Sequence, residues 1–82
     1  MNAKIAVDER LPWHTERCWA IHKGGAQYLC ALIHHGTPEV QVQVFQAGRS
    51  FSVDRCESRA AAIAKADALK AEYLLDGGLI IT

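Results

Sequence analysis

Eighty-two residues, half of them apolar and 22% charged, describe one globular domain with little core to spare. Nine basic and nine acidic side chains cancel, which argues against a binder relying on excess Lys and Arg, an acidic mimic of nucleic acid, or a polybasic membrane anchor. The first ten residues carry no apolar leader, no run reaches membrane-spanning length, and Cys18, Cys30 and Cys56 lack a framework spacing, so a cytoplasmic protein with free thiols is expected.

Residues 1–16 hold the weakest pattern. Lys4 to Asp8 alternates, with Ile5 and Val7 on one side, as a short edge strand would. Leu11-Pro12-Trp13 then stops any helix, because proline lacks the amide donor and restricts the residue before it. Leu11 and Trp13 read as a hydrophobic plug.

From Arg17 the signals sharpen. Arg17 to Lys23 and Ala26 to His34 are extended runs joined by Gly24-Gly25, a pair suited to the positive φ angles of a tight hairpin. His35-Gly36-Thr37-Pro38-Glu39 is a second turn. Val40 to Phe45 alternates strictly between apolar and polar residues and is the clearest strand. Gln46 to Arg49 turns again, and Ser50 to Val53 forms a fourth, short strand. Such brief connections predict an antiparallel meander.

A helix follows over 58–76, with Ser58 as N-cap and Asp54, three residues before Glu57, as the rival start. Ala62, Ile63, Ala66, Leu69 and Tyr73 share one helical face. Seven alanines between Ala60 and Ala71 favour helix and allow close approach to a sheet. Gly77-Gly78 ends the helix, and Leu79-Ile80-Ile81 is expected to fold back on the core or extend the sheet.

A two-residue turn at Gly24-Gly25 sorts the first hairpin into two faces. Trp19, Ile21, Tyr28, Cys30 and Leu32 fall on one; Cys18, Ala20, His22, Leu29, Ala31 and Ile33 fall on the other. Both are apolar, which is unusual for a sheet wetted on one side. One helix covers one face, leaving the other to residues 1–16 or to a second copy of the chain.

Candidate chemistry is thin. His14, Cys18 and His22 are spaced by four, as are Cys30 and His34. On strands, however, Cys18 and His22 stand roughly 13 Å apart at ~3.3 Å per residue, and the second pair points to the opposite face. No metal site, cofactor or catalytic residue is expected. Cys56, near the helix start and flanked by Arg55 and Arg59, is the best candidate for a thiol of lowered pKa, and a spacer before the cap is the simpler account. Gly24-Gly25 and Gly77-Gly78 lack the strand-to-helix context of a phosphate-cradling loop.

The meander followed by a helix resembles the latter part of a double-stranded-RNA-binding domain over about half the chain. That family's resemblance implies RNA binding from the start of the last helix, where this chain has Ser58-Arg59-Ala60-Ala61-Ala62 in place of a lysine-rich patch. The Gly48-Arg49-x-Phe51 turn and the Ser58-Arg59-Ala60-Ala61 helix opening also resemble small uncharacterised bacterial meander-plus-helix proteins, over about residues 17–78, a likeness that carries no activity.

The sequence thus predicts an α+β domain: an antiparallel meander of three to four strands with one C-terminal amphipathic helix packed on one face. Its expected role is a non-enzymatic binding or interaction module, with a homodimer as one form of self-binding. The interaction surface would include Cys18, Ala20, Leu29, Ala31, Ile33, His34 and His35. The alternatives are an RNA- or DNA-binding domain, with Lys23, Phe45, Arg49, Phe51, Arg55 and Arg59 as its patch, and a subunit of a larger enzyme assembly.

Overall fold

Gly24 and Gly25, at φ 59° and 81°, turn β1 (His14–Lys23) directly into β2 (Ala26–His34), with Lys23 opposite Ala26. Positive φ at both central residues matches the right-handed twist of the paired strands. The computed structural model describes residues 14–81, so the expected edge strand at Lys4 to Asp8 and the plug of Leu11 and Trp13 lie outside the described residues. The chain continues through β3 (Val40–Gln46) and β4 (Arg49–Cys56), helix α1 (Arg59–Leu75) and a two-residue β5 (Leu79–Ile80). All pairings are antiparallel, in the order β4-β3-β2-β1-β5.

Two strands outrun their sequence patterns. β1 begins at His14, and β4 continues past Val53 because Gln41 and Val40 of β3 pair with Arg55 and Cys56. Asp54 is therefore a strand residue opposite Val42, and the helix is capped by Ser58, whose Oγ accepts from the Ala61 amide at 3.1 Å. At the other end Gly77 (φ 95°) and Gly78 donate to the Leu74 and Tyr73 carbonyls, closing the last turn. The apolar tail extends the sheet: Ile80 and Leu79 pair with Ile21 and His22, and the Ile81 amide donates to the Ala20 carbonyl at 2.9 Å.

The core lies between the sheet and α1. Trp19, Ile21, Cys30, Leu32, Val40, Val42 and Val44 meet Ala62 and Ala66, with Ile63, Leu69, Tyr73 and Leu74 packed around them. Alanine at the two closest helical positions lets the backbones approach. The Trp19 indole N–H reaches the Ala66 carbonyl at 2.9 Å, tying β1 to the middle of the helix.

A β-bulge between Arg17 and Trp19 sets the faces of β1. Arg17 lies opposite Ala31 and Trp19 opposite Cys30, so Cys18 is the extra residue with no partner across the strand. The strict alternation expected from sequence puts Cys18 beside Ala20; the bulge instead brings its thiol against that of Cys30 on the helix side. The same bulge turns Glu16 and His14 toward the helix and Arg17 away from it, since Glu16 pairs with Leu32 and His14 with His34. A second irregularity between Val44 and Phe45 leaves Phe51 as the extra residue of β4.

Candidate binding face

Opposite the helix, the sheet presents side chains in rows that the register defines. Thr15, Ile33, Gln41 and Arg55 lie side by side across β1, β2, β3 and β4; Arg17, Ala31, Gln43 and Val53 form the next row. Ala20, Leu29, Phe45 and Ser50 make a third, and His22 with Gln27 a fourth. Of the interaction residues expected from sequence, Ala20, Leu29, Ala31 and Ile33 come together here. His34 does not: it pairs with Val40 on the helix side and bonds Glu16, while His35 is exposed in the turn after β2.

Between the rows lies a hollow of about 560 Å³, lined in part by Thr15, Arg17, Ala20, Leu29, Phe45 and Gly48. It exists because Ala20 and Gly48 carry little bulk where Leu29 and Phe45 stand up beside them. Its walls are mainly apolar, with Arg17, Thr15 and Gln27 at the rim. On the face itself the Gln43 amide donates to the Gln41 side-chain oxygen at 2.9 Å, holding two neighbouring amides in one orientation.

Charge is divided between the two sides of the sheet. Among the described residues, the strand positions of the open face carry Arg17, Arg55 and His22 and no carboxylate. Glu16 and Asp54 point the other way, opposite Leu32 and Val42, and Asp67, Glu72 and Asp76 belong to the helix and its cap. The zero net charge of the chain conceals this division.

Two clusters on the helix side are structural ties. The Glu16 carboxylate accepts from Arg59 Nε (3.1 Å) and Nη2 (2.7 Å) and lies 2.8 Å from His34 Nε2. The His14 ring stacks on His34 with centroids 4.3 Å apart. The Arg59 hydrogen bonds, then the one to His34, hold the Glu16 carboxyl down to about 2. At the opposite end Lys23 donates to Asp76 at 2.8 Å, and its ammonium sits 4.9 Å from the Tyr73 ring centroid. That hydrogen bond to Asp76 raises the Lys23 pKa and lowers that of Asp76.

The six residues grouped by sequence as a nucleic-acid patch are accordingly split. Lys23 and Arg59 are engaged by carboxylates beside the helix, Phe51 packs edge-on against Tyr28, and Arg49 sits across the turn from Gln46. Phe45 and Arg55 alone occupy the open face. Sequence reasoning did not assign Arg17, Gln27, Gln41 and Gln43 to it. The two β3 glutamines were visible as the polar half of the Val40 to Phe45 alternation, whereas nothing in the sequence marks the bulge that turns Arg17 outward.

Two of the thiols, Cys18 and Cys30, are held toward the neutral form. Burial pushes Cys30 up to about 12, and burial also raises Cys18, partly offset by a hydrogen bond from the neighbouring Cys30. Cys56 is half-buried against the core, across from Val40. Among the described residues no three His, Cys, Asp or Glu side chains converge as metal ligands, and no helix is long and apolar enough to cross a membrane. No family model matches the chain, and neither a curated protein nor a solved structure is significantly similar to it.

Proposed function

We propose that this domain is a non-enzymatic binding module of the cytoplasm and that its working surface is the open face of the sheet. The observation that carries this is the one-sided lid. A single helix covers Trp19, Leu32 and Val42, while Leu29, Ile33 and Phe45 stand half-buried around an apolar hollow on the other side. A domain of this size gains little by presenting such a surface, which none of the described elements covers, unless something docks there. Thiols of raised pKa and carboxylates engaged in ion pairs support binding over catalysis.

Immobilised domain tests this directly. Wild type is expected to retain a ligand from host extract that Leu29→Asp loses while its unfolding transition stays cooperative. Recovery of the same material by both proteins would remove the open face from consideration.

A second reading, self-association, is favoured by β4. This edge strand exposes Phe51 (56%) and Val53 (49%) beside a row of backbone groups that no described strand pairs. Joining two copies along β4 would extend the sheet without disturbing either core. Light scattering at micromolar protein should then give a dimer mass that Val53→Lys shifts to monomer; a monomer mass for wild type ends this reading.

A further inference from the structure

Independently of the open face, we propose that Cys18 and Cys30 are a modification site. A low-molecular-weight disulfide converts them to an intrachain disulfide that ties the bulge of β1 to β2. Position carries the argument. The bulge makes Cys18 and Trp19 share Cys30 as their neighbour across the strands, since Arg17 already lies opposite Ala31. Facing residues of an antiparallel pair keep their Cα atoms about 4.5–5.5 Å apart, within the roughly 4.4–6.8 Å that a disulfide spans. The side chains also converge, because the Cys18 thiol lies against that of Cys30 on the helix side. Plain alternation would put Cys18 on the opposite face and forbid the link.

The two sulfurs differ in access, which fixes the order of events. Cys18 is exposed, whereas Cys30 is fully buried at 0%. Cys18 is therefore the attacking thiol. It loses its proton to water, and its sulfur attacks one sulfur of the small disulfide. The other sulfur leaves as a thiolate that takes up the proton, and Cys18 carries a mixed disulfide. Cys30, deprotonated in turn, attacks the adjacent Cys18 Sγ, and the second small thiol departs in the same way. Two protein thiols are oxidised and one small disulfide is reduced to two thiols, so atoms and electrons balance.

Cys56 is out of range of both. It pairs with Val40, which faces His34, four positions along β2 from Cys30. At ~3.3 Å per residue that offset alone is roughly 13 Å, and β4 lies two strands from β2 and three from β1. Tying Cys18, in contrast, breaks no cross-strand pairing, because the surplus residue has none. The link pins the residue that decides which way Arg17 and Trp19 point, so the oxidised chain holds the faces of β1 more firmly than the reduced one.

The test incubates the reduced full chain with oxidised glutathione in mildly alkaline buffer. Remaining thiols are then blocked with N-ethylmaleimide in denaturant, and the peptides are mapped by mass spectrometry. The folded chain is expected to lose two alkylatable thiols, those of Cys18 and Cys30, to a single linked peptide pair. Dithiothreitol should restore both, and the oxidised form should unfold at a higher urea concentration. Cys56→Ser should form the same link, and Cys18→Ser should form no intrachain link. In urea, where loop length alone biases pairing, links through Cys56 should appear as well. Glutathione retained on Cys18 with Cys30 still alkylatable, a link between chains, or a folded chain that keeps both thiols free would overturn the assignment. None of these outcomes bears on the open face, which the retention experiment with Leu29→Asp tests separately.

Discussion

Glu16 joins three elements: it stands on β1, accepts two hydrogen bonds from Arg59 at the start of α1 and a third contact from His34 on β2. Its carboxyl, at about 2 in the fold, is well below the ordinary carboxylate value, which it regains on unfolding. A depressed folded pKa contributes stability above the unfolded value that is lost as pH falls through the folded one. Urea unfolding should therefore show wild type losing about 1 kcal/mol more than Glu16→Gln between about pH 5 and pH 2, a figure already discounted for the solvent at this partly exposed pair. Parallel acid profiles for the two proteins would mean that the cluster contributes nothing. Gly78 is constrained by space instead of charge. A Cβ there would meet Ile21 Cγ2 and the Tyr73 carbonyl oxygen, each at 2.6 Å. One of those neighbours is backbone, so Gly78→Ala should cost about 2 kcal/mol in denaturant titration and loosen β5 from β1. Gly24, with open space around its missing side chain, should lose only about 1 kcal/mol to alanine, the cost of its left-handed backbone.

The elements themselves were legible wherever one local rule was sufficient. Strict alternation marked β3, Gly24-Gly25 marked the first hairpin, and the alanine-rich stretch closed by Gly77-Gly78 marked the helix. What could not be read was an offset that arises between strands. Cys18 opens an apolar run to Ile21 that no alternation interrupts, and only pairing with β2 reveals it as surplus. That one residue decides whether Arg17 or Glu16 faces the open side, and hence where the candidate binding face has its charge. The bulge makes an unusual deletion harmless. Removing Cys18 leaves Arg17 opposite Ala31 and Trp19 opposite Cys30, so both halves of β1 keep their faces. A chain lacking Cys18 should still unfold cooperatively with a buried-tryptophan emission spectrum. Removing Ala20 instead would also use up the surplus residue, keeping Arg17 opposite Ala31 but setting Cys18 opposite Cys30 and turning Trp19 out of the core onto the open face, and should abolish the buried-tryptophan spectrum and weaken the fold. If the two deletions behave alike, the register of β1 is not the one described.

A sheet lidded on one side divides its residues into two populations that sequence alternation alone cannot tell apart, because both faces of the first hairpin are apolar. Leu32 and Ile33 are adjacent in β2, similar in size and hydrophobicity, and opposite in direction. Leu32, 1% exposed, packs in the cluster beneath Ala62 and Ala66, while Ile33 stands half-buried between Thr15 and Gln41 on the open face. Truncating Leu32 to alanine removes contacts on all sides and leaves a cavity that the close-packed alanine helix cannot fill, a loss of about 3 kcal/mol. Truncating Ile33 removes a side chain that already has solvent beside it, and about 1 kcal/mol or less should follow. The comparison holds local sequence and strand propensity nearly constant, so the difference reports which face the helix covers. Chemical denaturation of Leu32→Ala and Ile33→Ala under one set of conditions decides it. Equal losses would mean that the face bearing Ile33 is as thoroughly covered as the core, and a binding role for that face would then require its cover to be displaced first.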